Sequence, residues 1–180
     1  SHWGPTLLQR KFAVSTGAAG TVFGGIAVVT GILGTFLGGT LTSRLQARWP
    51  DAGVWISLLT LLLGAPAVAW ALMAAGLNLT YALFFVGMLL LFINTSPVNA
   101  LTVSSLPASV RATGVALNVL LIHLLGDAIS PEWVGHRSDA LHLGGMEPGA
   151  ALARAMMIAV PAVALSGVAL WWARGRKEAV

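Results

Sequence analysis

The sequence predicts an all-α membrane protein, on three observations. Hydrophobic residues make up 57% of the 180 residues and charged residues only 9%, whereas roughly a quarter of an average soluble domain is charged. The apolar residues form five runs, each near or above the roughly 20 residues that a helix needs to cross a bilayer. The chain also has 21 glycines and 8 prolines, which membrane helices tolerate because neighbouring groups satisfy the backbone.

The predicted elements follow one another with mostly short connections. Residues 1–12 look like the end of an earlier membrane helix, because they contain no methionine, signal region or basic leader. We therefore expect the chain to be one carboxy-terminal transmembrane bundle, 1–180, of a longer protein. The predicted spans are 17–43, 54–75, 79–104, 112–134 and 150–172. The link 135–149 is the longest. On the alternative that Asp127 only caps or bridges helices near the outer surface, Pro131 breaks the fourth helix just beyond it.

The charged residues indicate topology and not nucleic-acid binding. The formal charge is +4, but the basic residues lie at the ends of the spans and not in a cluster with aromatics. Their bias places the carboxy terminus in the cytoplasm. Arginine far outnumbers lysine, and with the abundant alanine this predicts a bacterial protein of the inner (plasma) membrane. The absence of cysteine excludes disulfides and thiolate metal sites.

The first span is rich in small residues. Four of them recur every four positions, at Ala27, Gly31, Thr35 and Gly39, and further glycine pairs occur at 20/24 and 34/38. This spacing lets helix backbones approach closely in lipid. The spacing does not separate static packing from a helix that slides against its neighbour.

The third span is interrupted by the polar stretch Asn94-Thr95-Ser96-Pro97-Val98-Asn99. Proline removes a backbone hydrogen bond, so a kink and freed carbonyls are expected. Broken helices at membrane depth line a cavity or are buried in protein. We predict that Asn94, Ser96 and Asn99 line a substrate cavity, with an internally satisfied kink as the alternative.

The fourth span carries His123 and Asp127 within an apolar run. A charge at the centre of a membrane helix costs roughly 2.5–3.5 kcal/mol, so such groups face a protein interior or a watery path. In an α-helix the two side chains share one face and could exchange a proton. A structural cap or bridge between helices is the alternative. Asn118 lies on a different face and is a further cavity-lining candidate.

Weaker polar features do not change this interpretation. His136, Asp139 and His142 have loose spacing within the predicted link and are expected in a solvated loop and not at a metal. No nucleophile elbow, phosphate loop or metalloprotease helix occurs. We therefore predict neither an enzyme nor a cofactor or metal.

The end of the first span resembles the cytoplasmic loop signature of the major facilitator superfamily, G-x-L-x-D-R-x-G-R-R. Gly39, Leu41, Arg44 and Arg48 fit that signature, whereas Ser43 stands where the family usually has aspartate. The resemblance implies a gating loop that includes Gly39, Arg44 and Arg48.

The fourth span and the residues after it resemble the eleventh helix of Spinster-type members of that superfamily. The pattern is H-x-x-G-D-x-x-S-P-x-x-x-G-x-x-S-D, from His123 to Asp139. Trp3-x-Pro5 and the run from Gly31 to Gly39 are similar to the seventh and eighth helices of the same group. The chain thus corresponds to the end of helix seven through helix twelve.

The resemblance implies the carboxy-terminal six-helix half of a twelve-helix fold that alternates between inward-open and outward-open states. It further implies secondary transport of a lysolipid-like, sphingolipid-like or other amphipathic solute, with proton coupling as an option. The expected partners are that substrate, membrane lipids and the missing amino-terminal half. A membrane scaffold or receptor that does not transport is the alternative.

Overall fold

The computed structural model describes residues 3–177, with side chains for all of these except 127, 128 and 173–177. This part of the chain is helical and contains no strand, so the all-α prediction is confirmed. The helices are α1 (Trp3–Phe12), α2 (Thr16–Gln46), α3 (Ala52–Met73), α4 (Leu77–Ser104), α5 (Arg111–Leu121), a π-helical segment (Ile122–Ile129), α6 (Ser130–Leu143), α7 (Pro148–Met156) and α8 (Ala159–Lys177).

Five stretches of the described chain are long and apolar enough to cross a membrane, the number predicted from the sequence. They are Thr16–Gln46, Ala52–Met73, Leu77–Ser104, Arg111–Leu143 and Pro148–Trp172. The fourth combines α5, the π-helical segment and α6, and the fifth combines α7 with most of α8. Residues 1–12, predicted as the end of an earlier helix, are helical from Trp3 onward.

The chain divides into two compact units, and each is described by itself. Unit 1 contains the residues up to Gly25 together with Leu106–Ile158. Unit 2 contains Ile26–Ser105 together with the residues from Ala159 onward. The boundary falls inside α2, whose first third belongs to unit 1 and whose remainder belongs to unit 2.

Unit 2 is held together by glycines at helix crossings. A Cβ atom at Gly64 of α3 would lie 3.2 Å from the Leu90 side chain of α4. A Cβ atom at Gly87 of α4 would lie 3.1 Å from the backbone nitrogen of Val68 on α3. Small residues at both positions therefore let α3 and α4 pack at close range, as expected where lipid removes most of the hydrophobic drive.

Unit 1 packs α1 against α7. Leu7 and Leu8 of α1 and Leu152 of α7 are fully buried. A Cβ atom at Gly149 would come within 2.7 Å of the Lys11 Cα atom, so the helix backbones approach closely there. The carboxylate of Glu147 accepts a hydrogen bond of 3.0 Å from the Ala150 backbone N–H and caps the start of α7.

The fourth span does not end at residue 134 as predicted but continues to Leu143. The preceding segment Ile122–Ile129 is π-helical, and the Ser130 N–H donates to the Leu125 carbonyl five residues earlier. A wider turn makes room for the proline ring, which in a regular α-helix clashes with the carbonyl four residues before it. The break at Pro131, which belonged to the structural alternative for Asp127, is therefore wrong.

The predicted link 135–149 is also mostly helical, because α6 includes everything up to Leu143. The connection is reduced to residues 144–147, where Gly145 has a φ of +92°. That left-handed conformation suits glycine and ends the helix. His136, Asp139 and His142 thus lie on the exposed surface of a helix and not in a loop.

Candidate functional site

The helices α2 and α4 meet backbone to backbone along one glycine face. A Cβ atom at Gly34 would lie 3.0 Å from the Leu89 carbonyl oxygen and 3.1 Å from the Ile93 nitrogen. At Gly38 a Cβ atom would overlap the Ile93 carbonyl oxygen. Only glycine fits this approach, and the Gly34/Gly38 pair is therefore the point at which α2 and α4 cross.

The same crossing involves the proline of α4. Pro97 has no backbone N–H, so it cannot donate to the Ile93 carbonyl, which lies four residues before it. Gly38 packs directly against this carbonyl, close enough for a Cα–H···O contact of the kind seen at helix interfaces. The freed carbonyl predicted from Pro97 is thus covered by α2, and Pro97 itself is fully buried.

The polar side chains around Pro97 differ in what they contact. The Ser96 hydroxyl donates a hydrogen bond of 3.0 Å to the Thr35 carbonyl oxygen and so joins α4 to α2. The Asn94 Oδ1 atom is buried without a hydrogen-bond partner. Asn99 is exposed. Ser96 therefore has a role in packing, while the Asn94 carbonyl is an acceptor that nothing in the described chain satisfies.

The second glycine pair of α2, nearer its amino end, is open. Gly20 and Gly24 have no heavy atom of the described chain within 4 Å of a Cβ position, and the same holds for Gly25. The two glycine pairs that look alike in the sequence thus have different surroundings. One pair closes a helix crossing, and the other leaves a smooth uncovered strip.

The residues of the predicted gating loop lie at the carboxyl end of α2. Gly39 is close to the Ser96 hydroxyl, at 3.7 Å from a Cβ position. Arg44 in the last turn and Arg48 after the helix are both exposed. The Thr42 hydroxyl, between Gly39 and Arg44 in sequence, is buried without a partner among the described residues.

The remaining predicted residues belong to unit 1. Asn118 of α5 is partly exposed, and His123 of the π-helical segment is exposed. The side chain of Asp127 lies outside the described residues. No residue of α5 is buried, although this helix begins a membrane span. The uncovered surface of α5 is the main difference between this span and those of unit 2.

The structure thus gathers the predicted residues into two groups. Ser96 and Gly39 lie together at the crossing of α2 and α4, while Asn94 and Asn99 lie elsewhere on α4. Asn118 and His123 lie in the other unit. Sequence reasoning named Thr35 and Gly38 only as small residues and missed their contacts with Ser96 and Ile93 of α4. The signal for the Gly38 contact was the Ile93 carbonyl, which Pro97 leaves free four residues before it.

The histidines of α6 make local contacts. The His136 Nε2 atom lies 3.8 Å from a carboxylate oxygen of Glu132, one turn earlier. The His142 Nδ1 atom lies 2.9 Å from the Met146 carbonyl oxygen. Among the residues that the structure describes, no three histidine, cysteine, aspartate or glutamate side chains converge to hold a metal ion.

Similarity to known proteins covers most of the chain. No family model matches it. Protein spinster homolog 3 of Danio rerio is 32% identical over 154 residues, which are 78% of this chain and 31% of the relative. Protein spinster of Drosophila melanogaster is 34% identical over 148 residues, 77% of this chain and 24% of the relative. The chain is a homologue of the Spinster family.

A plant relative has the same extent of similarity. The Arabidopsis thaliana protein named probable sphingolipid transporter spinster homolog 3 is 32% identical over 142 residues, 79% of this chain and 27% of the relative. The chain spans about a third or less of the length of these curated Spinster relatives. The Spinster family belongs to the major facilitator superfamily, so the resemblance seen in the motifs is confirmed.

The relatives and the five apolar helices agree on a multi-pass membrane protein. The Spinster relatives named here come from a fish, an insect and a plant. They give no support to the predicted bacterial inner membrane.

Proposed function

We propose that the protein containing this chain is a secondary active transporter that works by alternating access and carries an amphipathic, lipid-like solute. The chain would supply the carboxy-terminal six-helix half, and an amino-terminal half would complete the pathway. The plant relatives named as probable sphingolipid transporters support this substrate class. A bacterial plasma membrane remains proposed on composition alone.

The observation that carries the proposal is the uncovered membrane span of unit 1. α5 buries none of its residues within the described chain, yet it bears Asn118, and exposed His123 follows it. Polar side chains facing acyl chains are costly, so they normally face a protein interior or a water-filled cavity. We infer that this surface faces an aqueous pathway bounded by the other half of the transporter.

A buried acceptor on α4 supports a polar contact with the solute. The Asn94 Oδ1 atom is buried and unsatisfied, which costs free energy unless a donor arrives. An ammonium or hydroxyl group, as found at the polar end of a sphingoid base, would satisfy it.

The two glycine pairs of α2 support movement between the inward-open and outward-open states. The crossing at Gly34 and Gly38 fixes α2 to α4, while the strip at Gly20 and Gly24 is smooth and uncovered. A surface without side chains can pack against more than one partner arrangement with little steric cost. In this proposal the open strip contacts the other half, and the closed crossing keeps unit 2 rigid.

Transport is tested with the full-length protein reconstituted into liposomes that hold a pH gradient. A fluorescent sphingoid base and a fluorescent lysophosphatidylcholine are the two probes. Flux of either probe that exceeds protein-free liposomes, and that changes when the gradient is collapsed, supports proton-linked transport. Binding of the probes without flux would contradict transport and favour a receptor or scaffold.

The polar contact is tested by Asn94→Ala. Asn78→Ala is the matched control, because Asn78 lies exposed in the first turn of the same helix. We expect Asn94→Ala to raise the probe concentration at half-maximal flux about tenfold, in line with a lost hydrogen bond of about 1.4 kcal/mol. Equal effects of the two variants would contradict a role for Asn94 in binding.

The coupling role of His123 and Asp127 is tested by Asp127→Asn and His123→Gln. Asp139→Asn is the matched control, since Asp139 is an exposed carboxylate on α6. We expect Asp127→Asn to remove the response of flux to the pH gradient while Asp139→Asn retains it. If transport and its pH response both survive Asp127→Asn, the proton role is wrong.

A further inference from the structure

An apolar groove lies between α3 and α8, within unit 2. Its volume is about 540 Å³, inside the range of roughly 300–1,000 Å³ that is typical of ligand sites. Side chains from both helices line it, including Trp55, Leu58, Leu62, Ala164, Gly167 and Trp171. It shares no residue with the candidate site at the crossing of α2 and α4.

One end of the groove is marked by three tryptophans. The rings of Trp49 and Trp55 stack with centroids 6.1 Å apart. The ring of Trp171 meets Trp55 edge-on, with centroids 5.7 Å apart. Tryptophans of membrane proteins concentrate at the boundary between hydrocarbon and headgroups, so this end of the groove lies at the membrane surface.

The depth of the groove matches one leaflet of the bilayer. Its lining on α3 extends from Trp55 to Pro66. The eleven steps from one residue to the next, at about 1.5 Å each, cover roughly 16 Å along the helix. Half of a hydrocarbon core of roughly 30 Å is about 15 Å. A groove of this depth, opening at the surface, has the dimensions of a single acyl chain.

Basic residues are concentrated at the tryptophan end. Arg48 is exposed and precedes Trp49 directly in the chain. Three further basic residues, Arg174, Arg176 and Lys177, follow Trp171 within six positions. The acidic residues nearby in sequence are Asp51 and Glu178. In the sequence, the segments next to the tryptophans thus carry an excess of positive charge, which favours an anionic headgroup over a neutral one.

We propose that the groove binds an anionic membrane phospholipid, with one acyl chain between α3 and α8 and the phosphate at the basic tryptophan end. This lipid is a bound component of the membrane protein and not its transported solute. The proposal therefore goes beyond the transport function and does not depend on it. The lipid would hold α8 against α3 where their side chains leave a gap.

The test uses the full-length protein, purified in detergent with equal amounts of phosphatidylglycerol and phosphatidylcholine. Native mass spectrometry then counts the lipids that stay bound. We expect a stoichiometric phosphatidylglycerol and little phosphatidylcholine. Arg48→Gln should lower the preference about fivefold, corresponding to about 1 kcal/mol for one basic residue at the membrane surface.

The acyl-chain contact is tested by Gly167→Leu. A Cβ atom at Gly167 would sit 3.8 Å from Leu58, in ordinary contact, so the longer side chain enters the groove without moving the backbone. Ala169→Leu is the matched control, because Ala169 is exposed on α8 and does not line the groove. We expect Gly167→Leu to lose most of the bound phosphatidylglycerol and the control to keep it.

Two results would overturn the proposal. One is equal retention of phosphatidylglycerol by Gly167→Leu and Ala169→Leu, which would place any bound lipid elsewhere. The other is equal binding of the two phospholipids by the unmodified protein, which would contradict a preference for an anionic headgroup. Absence of probe flux in liposomes would contradict the transport proposal but would leave the phospholipid counts from native mass spectrometry unchanged. Failure of one proposal can therefore be told apart from failure of the other.

Discussion

The crossing of α2 and α4 in unit 2 and the α5 surface in unit 1 are both parts of membrane spans, but they are stabilised in opposite ways. At the crossing, Gly34 and Gly38 bring two backbones into contact, and the Ser96 hydroxyl adds a hydrogen bond to the Thr35 carbonyl. α5 buries no residue at all. In lipid, burial of apolar side chains contributes little to helix association, and close contact between helix backbones stabilises the packing instead. The α5 surface lacks such contact within this chain.

The largest expected effect comes from closing the space at the crossing. Gly38→Val places side-chain atoms on the Ile93 carbonyl, and we expect a loss of about 3 kcal/mol of folding stability, at the upper end for overpacking. Gly25→Val on the same helix, outside the strip at Gly20 and Gly24, meets open space and should stay within about 0.5 kcal/mol. Fluorescence-detected size exclusion after heating the full-length protein measures both. Equal losses of stability would mean that a glycine at the crossing with α4 and a glycine in open space contribute alike to folding.

The next effect compares a buried and an uncovered leucine. Leu72 of α3 is 1% exposed and Leu120 of α5 is 57% exposed. Leu72→Ala should cost about 2 kcal/mol, the low end for core leucines, because lipid solvates apolar groups almost as well as protein does. Leu120→Ala should change the thermal midpoint very little. A large loss for Leu120→Ala would show that α5 is packed against protein in the full-length molecule, which sharpens the comparison.

A smaller effect concerns the hydrogen bond between α4 and α2. Ser96→Ala removes the donor to the Thr35 carbonyl and should cost about 0.6 kcal/mol, the average for such bonds in membranes. Ser104→Ala is the control, since the Ser104 hydroxyl bonds only within its own helix, to the Leu101 carbonyl at 3.1 Å. Thermal midpoints of the two variants give the difference. An equally large loss of stability for Ser104→Ala would mean that a hydrogen bond between two helices stabilises the fold no more than one within a helix.

The smallest effect lies outside the membrane, at the start of α7. Backbone N–H groups of Ala150 and Gly149 hold the pKa of Glu147 below its usual value of 4.5. The ionised carboxylate therefore stabilises the folded state above the unfolded pKa, and this contribution disappears as the pH falls through the lower folded-state pKa. Glu147→Gln keeps an acceptor and removes the charge. Its thermal midpoint should lie below that of the unmodified protein at neutral pH, and the two should converge in acid.

An unchanged gap between the Glu147→Gln and unmodified midpoints across that pH range would contradict the charge-based capping. The result bears on unit 1 alone, because Glu147 caps the helix that packs on α1.

The polar site could be predicted in part. The stretch from Asn94 to Asn99 stands out because polar residues and a proline interrupt an apolar run, and that signal is local. Their separate environments could not be predicted, since the Ser96 bond and the Gly38 contact come from α2, more than 50 residues away in the chain. The shared face of His123 and Asp127 assumed an α-helix, and the π-helical segment changes the angle between residues four apart.

The sequence by itself determined the number and type of the membrane helices. A helix must be long and apolar to cross a bilayer, and backbone groups without hydrogen bonds are costly there. The distribution of apolar residues along the chain is therefore sufficient to predict the membrane helices. The tertiary structure decided which of two similar glycine pairs of α2 closes on α4 and which stays open, and it carried the fourth helix past Pro131. These outcomes depend on which atoms meet across space, and residues that look identical in the chain differ only in what lies opposite them.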